Sequence, residues 1–108
     1  MSMQFTYKPV DLDHEQVKSL KGPTILEFGT QWCGFCQAAQ PKLETALAQH
    51  GDIRHIKVED GRGRRLGRAF RVKLWPTLVF LEDGEEVARV VRPGSTDSIK
   101  DALQRIAA

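Results

Sequence analysis

Residues 24–36 read Thr24-Ile25-Leu26-Glu27-Phe28-Gly29-Thr30-Gln31-Trp32-Cys33-Gly34-Phe35-Cys36. Thr24 to Phe28 is apolar except for Glu27, the pattern of a strand covered on both faces rather than one with a wet side. Beyond it Cys36, Ala39, Leu43, Ala46 and Leu47 recur at helical spacing. Pro41 falls inside that run, which predicts a kink, and Gly51 closes it. A buried strand therefore gives way to a helix N-terminus, and the only two cysteines of the chain lie at the junction. Glu27 is the anomaly in the strand. It is either a strand-edge side chain turned to solvent or a buried carboxyl with a task.

Residues 4 to 7 are a short extended candidate on the N-terminal side. A helix follows, capped by Asp13, with Gln16 at the reciprocal position and Leu12 and Val17 spaced as a hydrophobic staple. Gly22-Pro23 is expected to end it. On the C-terminal side Ile53 to Val58 reads as a strand and residues 62 to 71 as a short basic helix. Thr77 to Glu82 and Glu86 to Val91 read as an antiparallel hairpin around Asp83-Gly84. Ile99, Ala102, Leu103 and Ile106 form the apolar stripe of a last helix, with Ser95 as cap and Gly94 as breaker. This alternation, ending in a hairpin, implies an α/β fold of three layers with a mixed central sheet between helices.

The chain has 108 residues, 41% apolar and 28% charged, which predicts one domain spanning 1–108 and argues against disorder or a disulfide-dense mini-protein. Its longest apolar run, Leu78 to Leu81, is far short of the roughly 20 residues of a membrane span, so no membrane partner is expected. The first nine residues carry neither a secretory nor a transit pattern, and the expected compartment is the cytoplasm. Sixteen Lys plus Arg against fourteen Asp plus Glu leave a net charge of +2, too small to imply nucleic acid by itself.

A cytosolic C-x-x-C in a βαβ setting reads as redox-active rather than structural. Residues i and i+3 share a helix face, with Cα atoms roughly 5 to 6 Å apart, inside the window that a disulfide requires. Cys33 is expected at the first position of the helix, where free N–H groups and the dipole would lower its pKa and make it the nucleophile. Cys36, one turn in and more buried, is expected to stay protonated until a mixed disulfide forms and then to resolve it. The competing readings are half of a zinc site and two incidental core thiols. Zinc needs four ligands, and His14, His50 and His55 show no ligand spacing to the pair; these histidines read as solvated or core positions.

At this point the chain resembles a small thioredoxin over nearly its full length. Trp32-Cys33-Gly34-Phe35-Cys36 is similar to the family's W-C-G-x-C, Pro41 stands at the family's helix kink, Trp75-Pro76-Thr77 matches its cis-proline loop, and Asp83-Gly84 its hairpin turn. The resemblance implies a thioredoxin-fold α/β/α sandwich and a protein-disulfide reductase active in electron transport and cell redox homeostasis, using no cofactor and no metal. It implies disulfide-containing protein substrates, an electron donor of the thioredoxin-reductase type and a functional monomer.

Residue by residue, Glu27 stands where the family has a buried Asp and would relay the proton of Cys36, with burial raising its pKa toward the working range. Lys57 matches a buried lysine that would neutralise Glu27; a surface strand lysine is the alternative. Pro76 would be cis and bring the Trp75 backbone to an extended substrate, along a rim that includes Trp32, Gly34, Phe35 and Gly94. An ordinary trans turn proline is the alternative there.

Three departures bear on function. Phe35 replaces the motif's usual proline, restoring an N–H and loosening φ beside both sulfurs, so the reduction potential is expected to rise. Gly29 replaces an aromatic and is expected to remove packing beside the active-site loop. Trp75 replaces a smaller residue and adds an aromatic face to the groove, which with Gly29 suggests altered partner choice. Arg62, Arg64, Arg65, Arg68, Arg71 and Lys73 put six positive charges into twelve residues. Without aromatic interleaving they read as a solvated helix face, or as charges steering an acidic protein partner, rather than as a nucleic-acid site. Two other functions stay open: a disulfide oxidant or isomerase, and a docking module with a redox switch.

Overall fold

The computed structural model describes residues 6–10 and 12–106. Its elements are α1 (His14–Lys18), β1 (Pro23–Gly29), α2 (Gly34–Leu47), β2 (Arg54–Glu59), α3 (Arg65–Ala69), β3 (Thr77–Glu82), β4 (Glu85–Val91) and α4 (Thr96–Leu103). The sheet order is β2-β1-β3-β4. β1 runs parallel to β2 and antiparallel to β3, and β3 runs antiparallel to β4. The sheet is therefore mixed.

Because side chains alternate across a strand, β1 and β3 feed two cores. Ile25, Leu78 and Phe80 pack with Ala39, Leu43 and Ala46 of α2 and Ile99, Ala102 and Leu103 of α4. Leu26, Phe28, Val79 and Leu81 pack with Val17 of α1 and with Leu66 and Phe70 at α3. Central strands buried on both faces read as continuous apolar runs, whereas β4 at the sheet edge leaves much of its length exposed.

Local signals placed most of the ends. Asp13 and Gln16 form the reciprocal capping box, and the Ser95 hydroxyl accepts from the Ser98 N–H. At the hairpin Asp83 and Gly84 both have positive φ, +50° and +84°, and a Cβ on Gly84 would collide with the Lys18 backbone. Pro41 lies inside α2 as expected.

Several boundaries differ from the expectation. α1 stops at Lys18 with Ser19 as its cap, well before Gly22-Pro23. α2 ends at Leu47 and Ala48 instead of running to Gly51. The basic helix is only Arg65–Ala69: Gly61 and Gly63 take positive φ, and Arg64 at the cap position offers no side-chain acceptor. Residues 4 and 5 of the first extended candidate lie outside the described residues. Lys8 makes an isolated parallel bridge to Val58, which lays Tyr7 beside β2.

Candidate active site

Cys33 sits where β1 has ended and α2 begins. It is the N-cap, with extended φ −80° and ψ 119°, and not the first helical residue as the spacing predicted. The difference has a local consequence. A cap side chain receives one of the orphan amides of the first turn, and here the Cys36 N–H donates to Cys33 Sγ at 3.2 Å. Both thiols are free, with Cys33 7% and Cys36 1% exposed. Burial and the neighbouring Cys33 push the Cys36 thiol up to about 12, against the pull of the Thr30 backbone and the Tyr7 hydroxyl.

Glu27 is fully buried, so the solvent-facing alternative does not hold. Its Oε1 lies 2.8 Å from His55 Nε2, and its Oε2 accepts from Gln40 Nε2 at 2.9 Å and from the Tyr7 hydroxyl. Lys57 Nζ stands 3.9 Å from the same oxygen. The parallel register explains the set: Glu27 faces Lys57 and Ile25 faces His55, so alternate positions of two strands converge under α2, which adds Gln40. Burial pushes the Glu27 carboxyl up, but His55, Lys57 and Tyr7 together hold it below its ordinary 4.5. This corrects the expected rise: the site is buried, yet three hydrogen-bonding or cationic neighbours favour the charged form. Lys57 is itself buried, donates to Gln40 Oε1 at 2.5 Å, and has its pKa lowered by burial against the pull of Glu27, Cys36 and Glu44.

The thioredoxin family model matches residues 9–105 of the chain. The chain belongs to the thioredoxin family. A solved structure of thioredoxin 2 from Pseudomonas aeruginosa is 53% identical, with a TM-score of 0.86 and 96% of each chain covered. A thioredoxin from Chlamydia trachomatis is 32% identical over 78 residues, 72% of this chain and 76% of the relative. Thioredoxin Asp f 28 of Aspergillus fumigatus is 26% identical over 87 residues, 81% of each. Of some longer plant and mitochondrial thioredoxins the matched region spans about half, from 45% to 56%. Thioredoxins are thiol-disulfide oxidoreductases that act on disulfide-containing substrates and are generally monomeric, and in this chain Cys33 and Cys36 lie close together, consistent with a C-x-x-C motif.

In this thioredoxin the rim around the cysteines is aromatic. Trp32 is 75% and Phe35 57% exposed, and Trp32 meets Trp75 edge to face at 5.6 Å. The Trp75–Pro76 peptide is cis, and Trp75 packs on the cluster of Tyr7, Cys33 and Cys36. Its indole N–H donates to Asp60 at 2.8 Å. Gly34 lies exposed between the cysteines, and Gly94 lies exposed in the bend between β4 and α4. A groove of about 330 Å³ beside Trp75 is lined by Arg64, Arg68, Arg71 and Lys73 over Asp60 and Gly67. Among the described residues no group of three or more His, Cys, Asp or Glu is arranged to hold a metal, and no helix is long and apolar enough to cross a membrane.

Sequence reasoning missed Tyr7, Gln40 and His55. Gln40 was open to recovery, four residues after Cys36 on one helix face, and His55 also, two residues before Lys57 on one strand face. Tyr7 carried no signal. It also corrects the reading of Gly29: a Cβ there would fall 2.5 Å from Cys36 Sγ and 2.9 Å from Cζ and Oη of Tyr7. Packing is not lost at Gly29; Tyr7 supplies it from another segment.

Proposed function

We propose that this chain reduces protein disulfides with Cys33 as nucleophile and Cys36 as resolving thiol. The Cys33 thiolate attacks a substrate disulfide, forming a mixed disulfide and releasing one substrate sulfur. The Cys36 sulfur then attacks Cys33, which expels the second substrate sulfur and leaves the Cys33–Cys36 disulfide, two electrons having passed to the substrate. Glu27 accepts the Cys36 proton and Lys57 supports its charge. A dithiol donor of the thioredoxin-reductase type restores the pair. The observation that carries this reading is the Cys36 amide on Cys33 Sγ at the N-terminal end of α2, with Cys36 the more deeply buried thiol and Glu27 fully buried.

Substrate docks along Trp32, Gly34, Phe35, Trp75, Pro76 and Gly94, with its main chain against the Trp75–Pro76 segment. The basic groove suits acidic segments of partner proteins. The chain works as one domain and as a monomer, with the cytoplasm as its compartment. An oxidant or isomerase is the second reading, favoured by Phe35 in place of the motif proline.

Equilibrium titration of the Cys33–Cys36 pair in defined thiol buffers, read by Trp32 fluorescence and paired with turnover of a protein disulfide, tests the assignment. A potential near about −270 mV with turnover supports the reductant, whereas one above roughly −200 mV assigns oxidant or isomerase work. A reversible disulfide without turnover would make the protein a docking module.

A further inference from the structure

Tyr7 is the only tyrosine of the chain. It is 6% exposed and packs against Cys33 and Cys36. Its hydroxyl donates to Glu27 Oε2, while the same side chain packs against Cys36. Cys36 Sγ and the Tyr7 hydroxyl oxygen lie 2.5 and 2.9 Å from the point that a Cβ on Gly29 would occupy, so no side chain stands there to keep them apart. Among the described residues the hydrogen bonds of the Glu27 carboxylate go to Tyr7, His55 and Gln40, with Lys57 at 3.9 Å. Tyr7 thus both donates to this carboxylate and packs against Cys36, which sets its hydroxyl near the resolving thiol inside the protein.

We infer that Tyr7 is a catalytic residue of the resolving step, its phenol handing the Cys36 proton on to Glu27. The inference rests on the roles proposed above for Cys36 and Glu27. The Cys36 S–H bond breaks as the Tyr7 oxygen takes the proton, and the Tyr7 O–H bond breaks as Glu27 Oε2 takes its own. The electron pair left on Cys36 forms the bond to Cys33 Sγ, and the bond from Cys33 to the substrate sulfur breaks with its pair on the leaving sulfur. That sulfur leaves as a thiol once protonated, Glu27 returns to its carboxylate, and Tyr7 is neutral before and after. His55 and Lys57 from β2, together with Tyr7, favour the charged form of Glu27, and Gln40 from α2 donates to the same carboxylate. Glu27 therefore does not store the proton in the resting protein, and its transfer is concerted with sulfur attack.

The test separates the two sulfur steps in rapid-mixing experiments. Tyr7→Phe slows release of the substrate from its mixed disulfide about 100-fold, the lower end of what a positioned proton-transfer group supplies. The attack of Cys33 itself, measured in Cys36→Ser with and without Tyr7→Phe, does not change. The double variant Tyr7→Phe/Glu27→Gln resolves no more slowly than the slower single one, because the two act in series. An unchanged resolution rate in Tyr7→Phe overturns the inference and leaves the proton to pass by way of the cavity of about 50 Å³ that Cys36 and Tyr7 share with Gln37, Gln40 and Lys57, without the phenol. Multiplied slowing in the double variant overturns it too. Should Tyr7→Phe fail to fold, biosynthetic fluorotyrosine labels this position alone; its fluorine resonance must shift at the pH where Cys36 titrates, and a flat resonance sinks the relay. If the wild type never forms a mixed disulfide at Cys33, it is the oxidoreductase roles that fail, a different result from any of these.

Discussion

The guanidinium of Arg92 lies 3.9 Å over the ring of Phe35, and its Nε donates to the Trp75 carbonyl at 2.8 Å. One side chain just past β4 therefore joins Phe35, one of the two residues between the cysteines, to the residue before Pro76. Arg92 has φ +48°, a region that costs a non-glycine residue, and its N–H is tied to the Pro76 carbonyl at 2.9 Å. The aromatic rim is held as a unit by this clasp.

Arg92→Ala removes the cation–π stack and the side-chain hydrogen bond together. An exposed stack and one such bond are together worth about 1 kcal/mol. Urea unfolding of the reduced protein should show a loss of that size, and an unchanged midpoint would mean that the clasp contributes nothing to stability.

Phe35→Pro restores the usual motif residue. Phe35 is the second residue of α2, where the backbone N–H has no intrahelical partner and proline is tolerated. The reduction potential should fall by about 30 mV, equivalent to about 1.4 kcal/mol for a two-electron couple. Titration against a thiol buffer checks this, and a potential that stays put or rises contradicts the role given to Phe35.

Gly29→Ala drives a methyl group between Cys36 Sγ and the Tyr7 ring, at 2.5 and 2.9 Å. Neither neighbour is the loose end of a flexible side chain, so the cost is that of overpacking, about 1–3 kcal/mol. Thermal melts of the reduced forms measure it. A neutral outcome would show that Tyr7 can withdraw freely from beneath the site.

The buried groups set opposite limbs of the pH–stability curve. Cys36 has a folded pKa of about 12 against an ordinary 9.0. Between those values the unfolded chain has lost this proton and the folded protein has kept it, so stability is highest below 9.0 and falls as pH rises. Glu27, held below 4.5, contributes stability above that pH which is lost as pH falls through its folded value. Unfolding midpoints of the reduced protein against pH test both: Cys36→Ser should flatten the alkaline fall and Glu27→Gln the acid one.

Arg68, Arg71 and Lys73 line the groove beside Trp75, so reduction of an acidic protein disulfide should slow as ionic strength rises through the range where the Debye length shrinks to about 8 Å. Arg68→Glu/Arg71→Glu should abolish that salt dependence and leave reduction of a small neutral disulfide intact. A rate indifferent to salt in the wild type would rule out steering by this groove.

The sequence by itself determined what short-range physics controls. The capping box of Asp13 and Gln16, the Ser95 cap, the Asp83-Gly84 turn, the strand-to-helix junction and the i, i+3 cysteines each depend on residues within a few positions of one another. Apolar runs against alternation likewise told central strands from the edge. Only the tertiary structure decided what surrounds Glu27. Tyr7 and His55 lie 20 and 28 residues away along the chain, and no periodicity says which polar side chains share one buried space. Their arrival turned the direction of the Glu27 pKa, filled the gap at Gly29 and set a hydroxyl bound to that carboxylate close to Cys36. A buried charge takes its properties from the groups packed against it, and chain crossing, not local sequence, selects those groups.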